Sequence, residues 1–295
     1  MELTFLGTSF AIPTRKRNHS AMLLTHQGEN ILVDCGEGTQ RQFRKARLNP
    51  CKITRLLITH WHGDHILGIP GLFQTLTLNN YNKTLQVYGP RGTKHFIQTM
   101  LKMFLFVKSI KLEVHEVKEG IIHDGDLVIK AFQTSHGVPS LAYSIEEKTK
   151  RRIDVKKLKK LKLKGPIIGQ LQKGKDITFN GKKIKAKDMT YLQEGKKVSF
   201  VMDTGIDKNA IIASKNADLM VCEASFLDED KAKAKEYHHL TASQAGEMAK
   251  KAKAKKLYLT HISQRYELKE KEIAKEAKTK FKNTFVAEDL MKVEI

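Results

Sequence analysis

Along the first half of the chain, short apolar runs alternate with turn-forming residues. LTFLG, SAMLL, NILVDCG, RLLITH, LQVYG, DLVIKAFQTSH and LAYSI are each about strand length and rich in Val, Ile, Leu and Phe; Gly, Asn, Asp or Pro bounds them. Between them, ILGIPGLFQTLTL and TKHFIQTMLKMF carry the apolar spacing of helices. The second half repeats the scheme, with VSFVMDT, ADLMVCEASF and KLYLTHI as strands. A helix over about 242–254 is introduced by Thr241, and Gln244 three positions on completes a capping box. Periodicity alone supports an α/β or α+β chain. Two similar halves of mixed strands and helices predict more: two sheets packed together with helices outside, a four-layer αββα sandwich.

Composition changes the picture at one place. The formal net charge is +21, from 53 basic and 32 acidic residues. Over 146–187 sixteen Lys or Arg stand against four Asp or Glu, so a net +12 sits in this one segment. Within it Asp154 is a good helix N-cap, Val155, Leu158 and Leu161 recur every third residue, and Gly165-Pro166 ends the helix. The segment reads as too poor in apolar residues for a core of its own, hence as an arm or flexible loop projecting from the body. A field of this sign attracts polyanions, nucleic acid first; general lysine enrichment, as in KAKAKE, is the plainer account. The rest of the composition mostly excludes. No apolar run approaches the roughly 20 residues of a membrane span, and MELTFLG reads as a first strand, not a signal peptide. Cys35, Cys51 and Cys222 are too few and scattered for a disulfide framework, so a reducing, cytoplasmic home is expected.

The chemistry lies where the RLLIT strand runs into His60-Trp61-His62-Gly63-Asp64-His65. Three imidazoles and a carboxylate in six residues at a strand's end suit zinc. In an extended turn His60 and His62 face one metal, and Asp64 and His65 a second as the chain enters the next helix. Three further donors close other strands: His136 after AFQTS, Asp203 after VSFVM and His261 after KLYLT. His60, His62 and His136 then hold one zinc, Asp64, His65 and His261 the other, and Asp203 bridges them. Ligand sets that leave room for water indicate catalysis, not a structural metal. His19, His26, His95, His115 and His123 lack partner spacing and read as surface or turn residues. His238 and His239 precede the capped helix, where helix entry and a place at the mouth of the site are both open. Asp34, closing NILV, reads as support for a ligand.

H60-WHGD-H65 resembles the signature of the metallo-β-lactamase superfamily, and the surrounding text resembles its ribonuclease Z family. FLGTSFAIPTRKRN, VDCGEGTQRQ, VYGPRG, QTSHGVPSLAY, CEASF, HLTA and HISQRY carry the likeness from end to end, and RIDVKKLKKLKLKGPIIGQLQKG resembles that family's arm. The resemblance implies a single metallo-β-lactamase domain over 1–295 with an inserted tRNA-binding arm over 147–187. It implies a zinc-dependent endoribonuclease, two Zn2+ per chain, that removes the 3′ trailer from precursor tRNA and leaves a 3′ hydroxyl and a 5′-phosphorylated trailer. It also implies Asp64 as proton-accepting catalytic residue, His239 as proton donor or leaving-group stabiliser, the seven metal ligands above and a homodimer. Two positions depart from the pattern: Met202 replaces the usual Gly before Asp203, and EEKTKRRID lacks a Pro and Gly, which predicts a shorter or stiffer stalk. A small-molecule hydrolase of the same superfamily would need no +12 insert, and a binding protein with a decayed site would have lost donors. No membrane partner is expected.

Overall fold

The computed structural model describes residues 1–105, 110–161 and 163–295; Lys162, counted in the charge of the arm, lies outside them. The two halves build two seven-stranded sheets. The first runs in the order Lys292–Glu294, Glu2–Gly7, Ala21–His26, Glu29–Val33, Arg55–Leu57, Thr84–Gly89, Lys111–Glu116. The second runs Thr284–Val286, Leu257–Thr260, Leu219–Glu223, Lys197–Val201, Ser140–Glu147, Leu127–Thr134, Gly120–Asp124. Leu3, Phe5, Met22, Ile31 and Leu57 of the first meet Ile129, Tyr143, Phe200 and Val221 of the second in a buried core.

Each sheet also buries its other face. Phe43, Ile69, Leu72, Phe73 and Ile97, from three helices, cover the first sheet. Ala210, Ala245, Met248, Ala249 and Ile273 cover the second. This is the four-layer αββα sandwich. The capping box forms: Thr241 Oγ1 accepts from Gln244 N at 3.3 Å and Gln244 Oε1 accepts from Thr241 N at 2.9 Å, at the head of the Ala242–Ala252 helix. ILGIPGLFQTLTL begins on the last residue of a short helix, Gly63–Ile66, and then forms the Ile69–Leu78 helix, with Pro70 in its first turn, where the missing N–H costs nothing.

The arm corrects the sequence reading. It leaves the body as a two-stranded ribbon, Lys150–Ile153 paired antiparallel with Thr190–Gln193. Beyond the ribbon, Leu158, Leu163, Leu171, Ile177 and Ala186 form a buried cluster of their own. Those residues belong to several short elements, so no single window of sequence is apolar enough to announce a core. Asp154 does cap the Val155–Lys160 helix, accepting from Lys156 N and Lys157 N. Leu158 is buried there, while Val155 and Leu161 are exposed.

Candidate metal centre

Parallel strands of both sheets end along one edge of the sandwich, where crevices at strand C-termini commonly take ligands. Arg55–Leu57 delivers His60 there, Lys197–Val201 delivers Asp203 and Leu257–Thr260 delivers His261; Leu127–Thr134 delivers His136. All seven donors expected from the sequence converge. His62 Nδ1 lies 3.0 Å from His60 Nε2 and 3.2 Å from His136 Nε2. His261 Nε2 lies 3.1 Å from His65 Nε2 and 3.2 Å from Asp64 Oδ2. Asp203 stands between the two groups, its Oδ2 3.5 Å from His60 Nε2 and its Oδ1 3.3 Å from His65 Nε2.

Three observations show that the donors fit metal ions. Tetrahedral zinc with bonds of about 2.0–2.1 Å separates its ligand atoms by about 3.3 Å, and the spacings here match. Four of the histidines also have Nδ1 held by a neighbouring group and Nε2 turned to the other donors, although His261 Nδ1 lies 3.2 Å from Asp203 Oδ1 as well. His65 Nδ1 donates to Asp34 Oδ2 at 2.7 Å, His60 Nδ1 to Thr59 Oγ1 at 3.1 Å, His136 Nδ1 to the His238 carbonyl at 3.2 Å and His261 Nδ1 to Ser225 Oγ at 3.0 Å. Such outer bonds fix the tautomer that leaves Nε2 as a lone-pair ligand. Finally, the buried Asp203 Oδ1 has imidazole nitrogens of His65 and His261 at 3.3 and 3.2 Å but no well-formed hydrogen bond among the described residues, a costly state for a carboxylate oxygen that a cation relieves.

Asp34 thus takes the supporting place expected of it. Its other oxygen accepts from Thr59 N at 2.8 Å, and it is fully buried in a left-handed conformation, φ +57°. Below it, Gly36 is required by close approach: a Cβ there would stand 2.3 Å from the Asp64 carbonyl. The electrostatics agree with the geometry. Burial opposes ionisation of Asp203 and Asp64, but His261 and His65 beside Asp203, and His65 and His261 beside Asp64, hold both carboxyls well below the usual range. Burial chiefly, and the neighbouring His65 charge, push His60 down. His65 is pushed up against its burial by Asp203, Asp34 and Asp64, so a metal entering there displaces a proton.

His239 sits at the mouth, its Nε2 4.0 Å from Asp203 Oδ2 and its Nδ1 donating to Glu223 at 3.0 Å. Burial disfavours its charge, yet Glu223 prevails and raises its pKa to about 9. Glu223 went unnoticed in the sequence. It is fully buried and also accepts from Thr204 N, Leu240 N and Ser225 Oγ. The signal was there, a carboxylate closing the apolar run ADLMVCE just as Asp203 closes VSFVMD. Phe10 was missed as well; its ring meets His239 and His261 edge-on, at 4.9 and 5.1 Å. His19 is not a surface residue but is buried beneath the site, its Nε2 3.1 Å from the Ala11 carbonyl. His115 stacks on Tyr88, His123 lies beside Arg55 and His26 pairs with Glu147, all away from the seven donors.

Comparison with known proteins agrees with this arrangement. A family model described as Anti-Pycsar protein Apyc1 matches residues 1–150, and one described as Beta-lactamase superfamily domain matches residues 188–262. Ribonuclease Z of Methanothermobacter thermautotrophicus is 40% identical over 298 residues, spanning 100% of this chain and 97% of that protein. Ribonuclease Z of Protochlamydia amoebophila is 39% identical over 98% of this chain and 95% of its own length. The crystal structure of human tRNase Z, short form, superposes with a TM-score of 0.72 at 30% identity, covering 100% of this chain and 99% of that one. The metallo-β-lactamase fold protein YhfI of Bacillus subtilis, at 21% identity and a TM-score of 0.73, shares the fold. With relatives this similar over their whole length, the chain belongs to the ribonuclease Z family of the metallo-β-lactamase superfamily.

Proposed function

We propose that the chain is a zinc-dependent endoribonuclease that cuts the 3′ trailer from precursor tRNA, with two Zn2+ held by His60, His62, His136, Asp64, His65 and His261 and bridged by Asp203. The observation that carries this reading is the complete donor set at one sandwich edge, every histidine but His62 oriented by an outer bond. Bound zinc would supply Lewis acidity toward the scissile phosphate and an activated water near neutral pH. Asp64, steadied by the Ala11 amide at 2.9 Å, takes the proton of the attacking water. His239, kept protonated by Glu223, gives its proton to the departing 3′ oxygen. The P–O3′ bond breaks, so the tRNA keeps a 3′ hydroxyl and the trailer keeps the phosphate at its 5′ end.

The arm over 147–187 grips the tRNA. Its sixteen basic residues are mostly Lys, which favours backbone charge and shape over base readout. A homodimer, one subunit's arm presenting tRNA to the other's site, draws support from Phe96, Leu101 and Met103, exposed apolar residues of the Thr93–Met103 helix. Among the described residues no helix is long and apolar enough to cross a membrane; two buried free cysteines, Cys35 and Cys222, suit a reducing cytoplasm.

The test is elemental analysis combined with cleavage of a trailer-bearing precursor, mature tRNA serving as control. Two zinc ions per chain, loss of cleavage in His62→Ala and Asp203→Ala with the fold retained, and products with the stated ends are expected. A chain that carries no metal and cuts in strong chelator overturns the zinc reading. Turnover of small phosphodiesters alone would make it a small-molecule hydrolase.

A further inference from the structure

The strands that bracket the arm, Ser140–Glu147 and Lys197–Val201, pair with each other in the second sheet, Glu146 opposite Lys197. The ribbon of the arm resumes at Lys150 opposite Gln193. Only residues 148–149 and 194–196 join body to arm. The strand ladder is interrupted at this crossing, so the arm can bend there unless something holds it, and here the crossing is gripped from several sides.

Glu147 is the centre of the grip. Its backbone N–H donates to the Lys196 carbonyl at 2.9 Å, and its Oε2 accepts from Lys196 N at 2.9 Å. Its Oε1 receives the Nε2 of His26, at 2.7 Å, from the hairpin of the first sheet. Both side chains are largely buried, 9% and 20% exposed, so the bond is shielded from competing water. Gly195 closes the crossing: a Cβ there would lie 1.9 Å from the Glu147 carbonyl oxygen, and backbone cannot yield as a flexible side chain does. The next residues on either side are tied outward. Lys148 Nζ pairs with Asp124 at 2.6 Å, and Lys197 N donates to Asp218 at 3.0 Å. The root therefore engages both sheets, although its own two strands belong to one.

We infer that Glu147, with His26 and Gly195, forms a clamp that fixes the angle of the arm, and that this angle positions arm-bound RNA over the metal centre of the partner subunit. Glu147 is a positioning residue: it stands at the root of the arm, outside the donor set, and acts through the arm's direction. The inference rests on the arm as the RNA-gripping element. If loosening the clamp leaves only a tenth of the arms at the competent angle, apparent affinity for the precursor weakens about tenfold, because binding draws only on that fraction.

Spin labels on cysteines placed at the exposed positions Lys160, in the arm, and Lys215, in the body, read the angle directly, with Cys51 changed to Ser and the buried Cys35 and Cys222 left in place. Pulsed EPR of the full chain should give a narrow distance distribution, retained in Glu147→Gln, whose amide oxygen still accepts from Lys196 N. It should broaden in Glu147→Ala and, should that variant fold poorly, in His26→Ala. KM for precursor tRNA should rise about tenfold in both alanine variants, with kcat and small-phosphodiester turnover within about twofold of the parent. A distribution as narrow in the alanine variants as in the parent, or already broad in the parent, overturns the clamp. Broadening with an unchanged KM overturns its role in positioning. An armless chain that keeps its full affinity for precursor tRNA overturns the arm reading itself, whereas loss of affinity there with normal binding by the clamp variants removes the clamp alone.

Discussion

A buried carboxylate that touches no metal ligand atom decides what His239 can do. Glu223 is enclosed and accepts four donors, His239 Nδ1 among them. Its charge lifts the imidazole pKa to about 9 against the effect of burial, so the ring carries its proton at neutral pH, as a proton donor must. Replacing the carboxylate with an amide removes the largest influence opposing burial and leaves Asp203 alone against it, so the pKa falls. Glu223→Gln should therefore move the alkaline limb of the kcat–pH profile to lower pH, while metal content, read by elemental analysis, stays at the parent's value. Bound cations lower the absolute pKa in both proteins, so the difference between the two profiles is the signal. Coincident alkaline limbs would show that Glu223 does not set the donor's protonation. His239→Ala should lower single-turnover cleavage by about 10²–10⁴-fold, the usual span of general acid catalysis, with the metals retained; an unchanged rate returns His239 to a helix-entry residue. At this scale the seven donors that converge were legible because four fall in one short motif after an apolar strand and His136, Asp203 and His261 each follow another. Glu223 closes one too, but its partner lies 16 residues away and only folding brings them together.

The elements hold the site through contacts remote in sequence. The loop that offers the Ala11 amide to Asp64 is anchored by Arg17, whose Nη1 donates to Thr8 Oγ1 and to the Ala287 carbonyl, both at 2.7 Å. Asp289, from the far end of the chain, accepts from Asn18 N at 2.7 Å, Thr8 Oγ1 at 2.8 Å and Gln42 Nε2 at 2.8 Å. Burial outweighs those donors and Arg17, and raises the Asp289 carboxyl to about 6. A folded-state pKa above the unfolded value of 3.8 means that the folded chain holds the proton longer. Stability from this group is then full below pH of about 4 and is lost as pH rises through about 6, by up to about 3 kcal/mol at roughly 1.4 kcal/mol per unit. Asp289→Asn cannot titrate. Urea unfolding of both proteins should show the variant gaining on the parent between about pH 4 and 6, whatever constant cost the substitution carries, and a difference independent of pH would refute the assignment. Strands such as Lys292–Glu294 and Thr284–Val286, three residues each, offer no readable period, whereas the six- and eight-residue buried strands do. The αββα layering was legible from those longer runs; the closing edge strands and the core of the arm were not, because each is assembled from pieces too short to show a pattern.

On the scale of the whole molecule, charge and catalysis are housed apart. The metal centre lies at one edge of the sandwich, and a net +12 lies in an insert that has its own apolar cluster. Because Leu158, Leu163, Leu171, Ile177 and Ala186 pack together as a group separate from the three clusters of the sandwich, removing residues 148–187 and closing the gap with a short Gly-Ser linker should leave the sandwich folded and its metals bound. Hydrolysis of a small activated phosphodiester should persist, since every donor and Asp64 remain. Cleavage of precursor tRNA should collapse, through KM first. In the intact chain tRNA affinity should fall steeply with salt, on the order of 10³-fold between about 50 and 200 mM if six phosphates are neutralised, through release of condensed counterions. The armless chain should show a much shallower dependence. Lys156→Glu with Lys159→Glu, both exposed on the helix of the arm, should weaken tRNA binding and flatten the salt slope while leaving the small-ester rate unchanged. The contrast between substrates is what discriminates. If the armless chain cuts precursor tRNA as well as the full chain does, with the same salt slope, the lysines of the insert are a solvated surface and recognition resides in the sandwich itself.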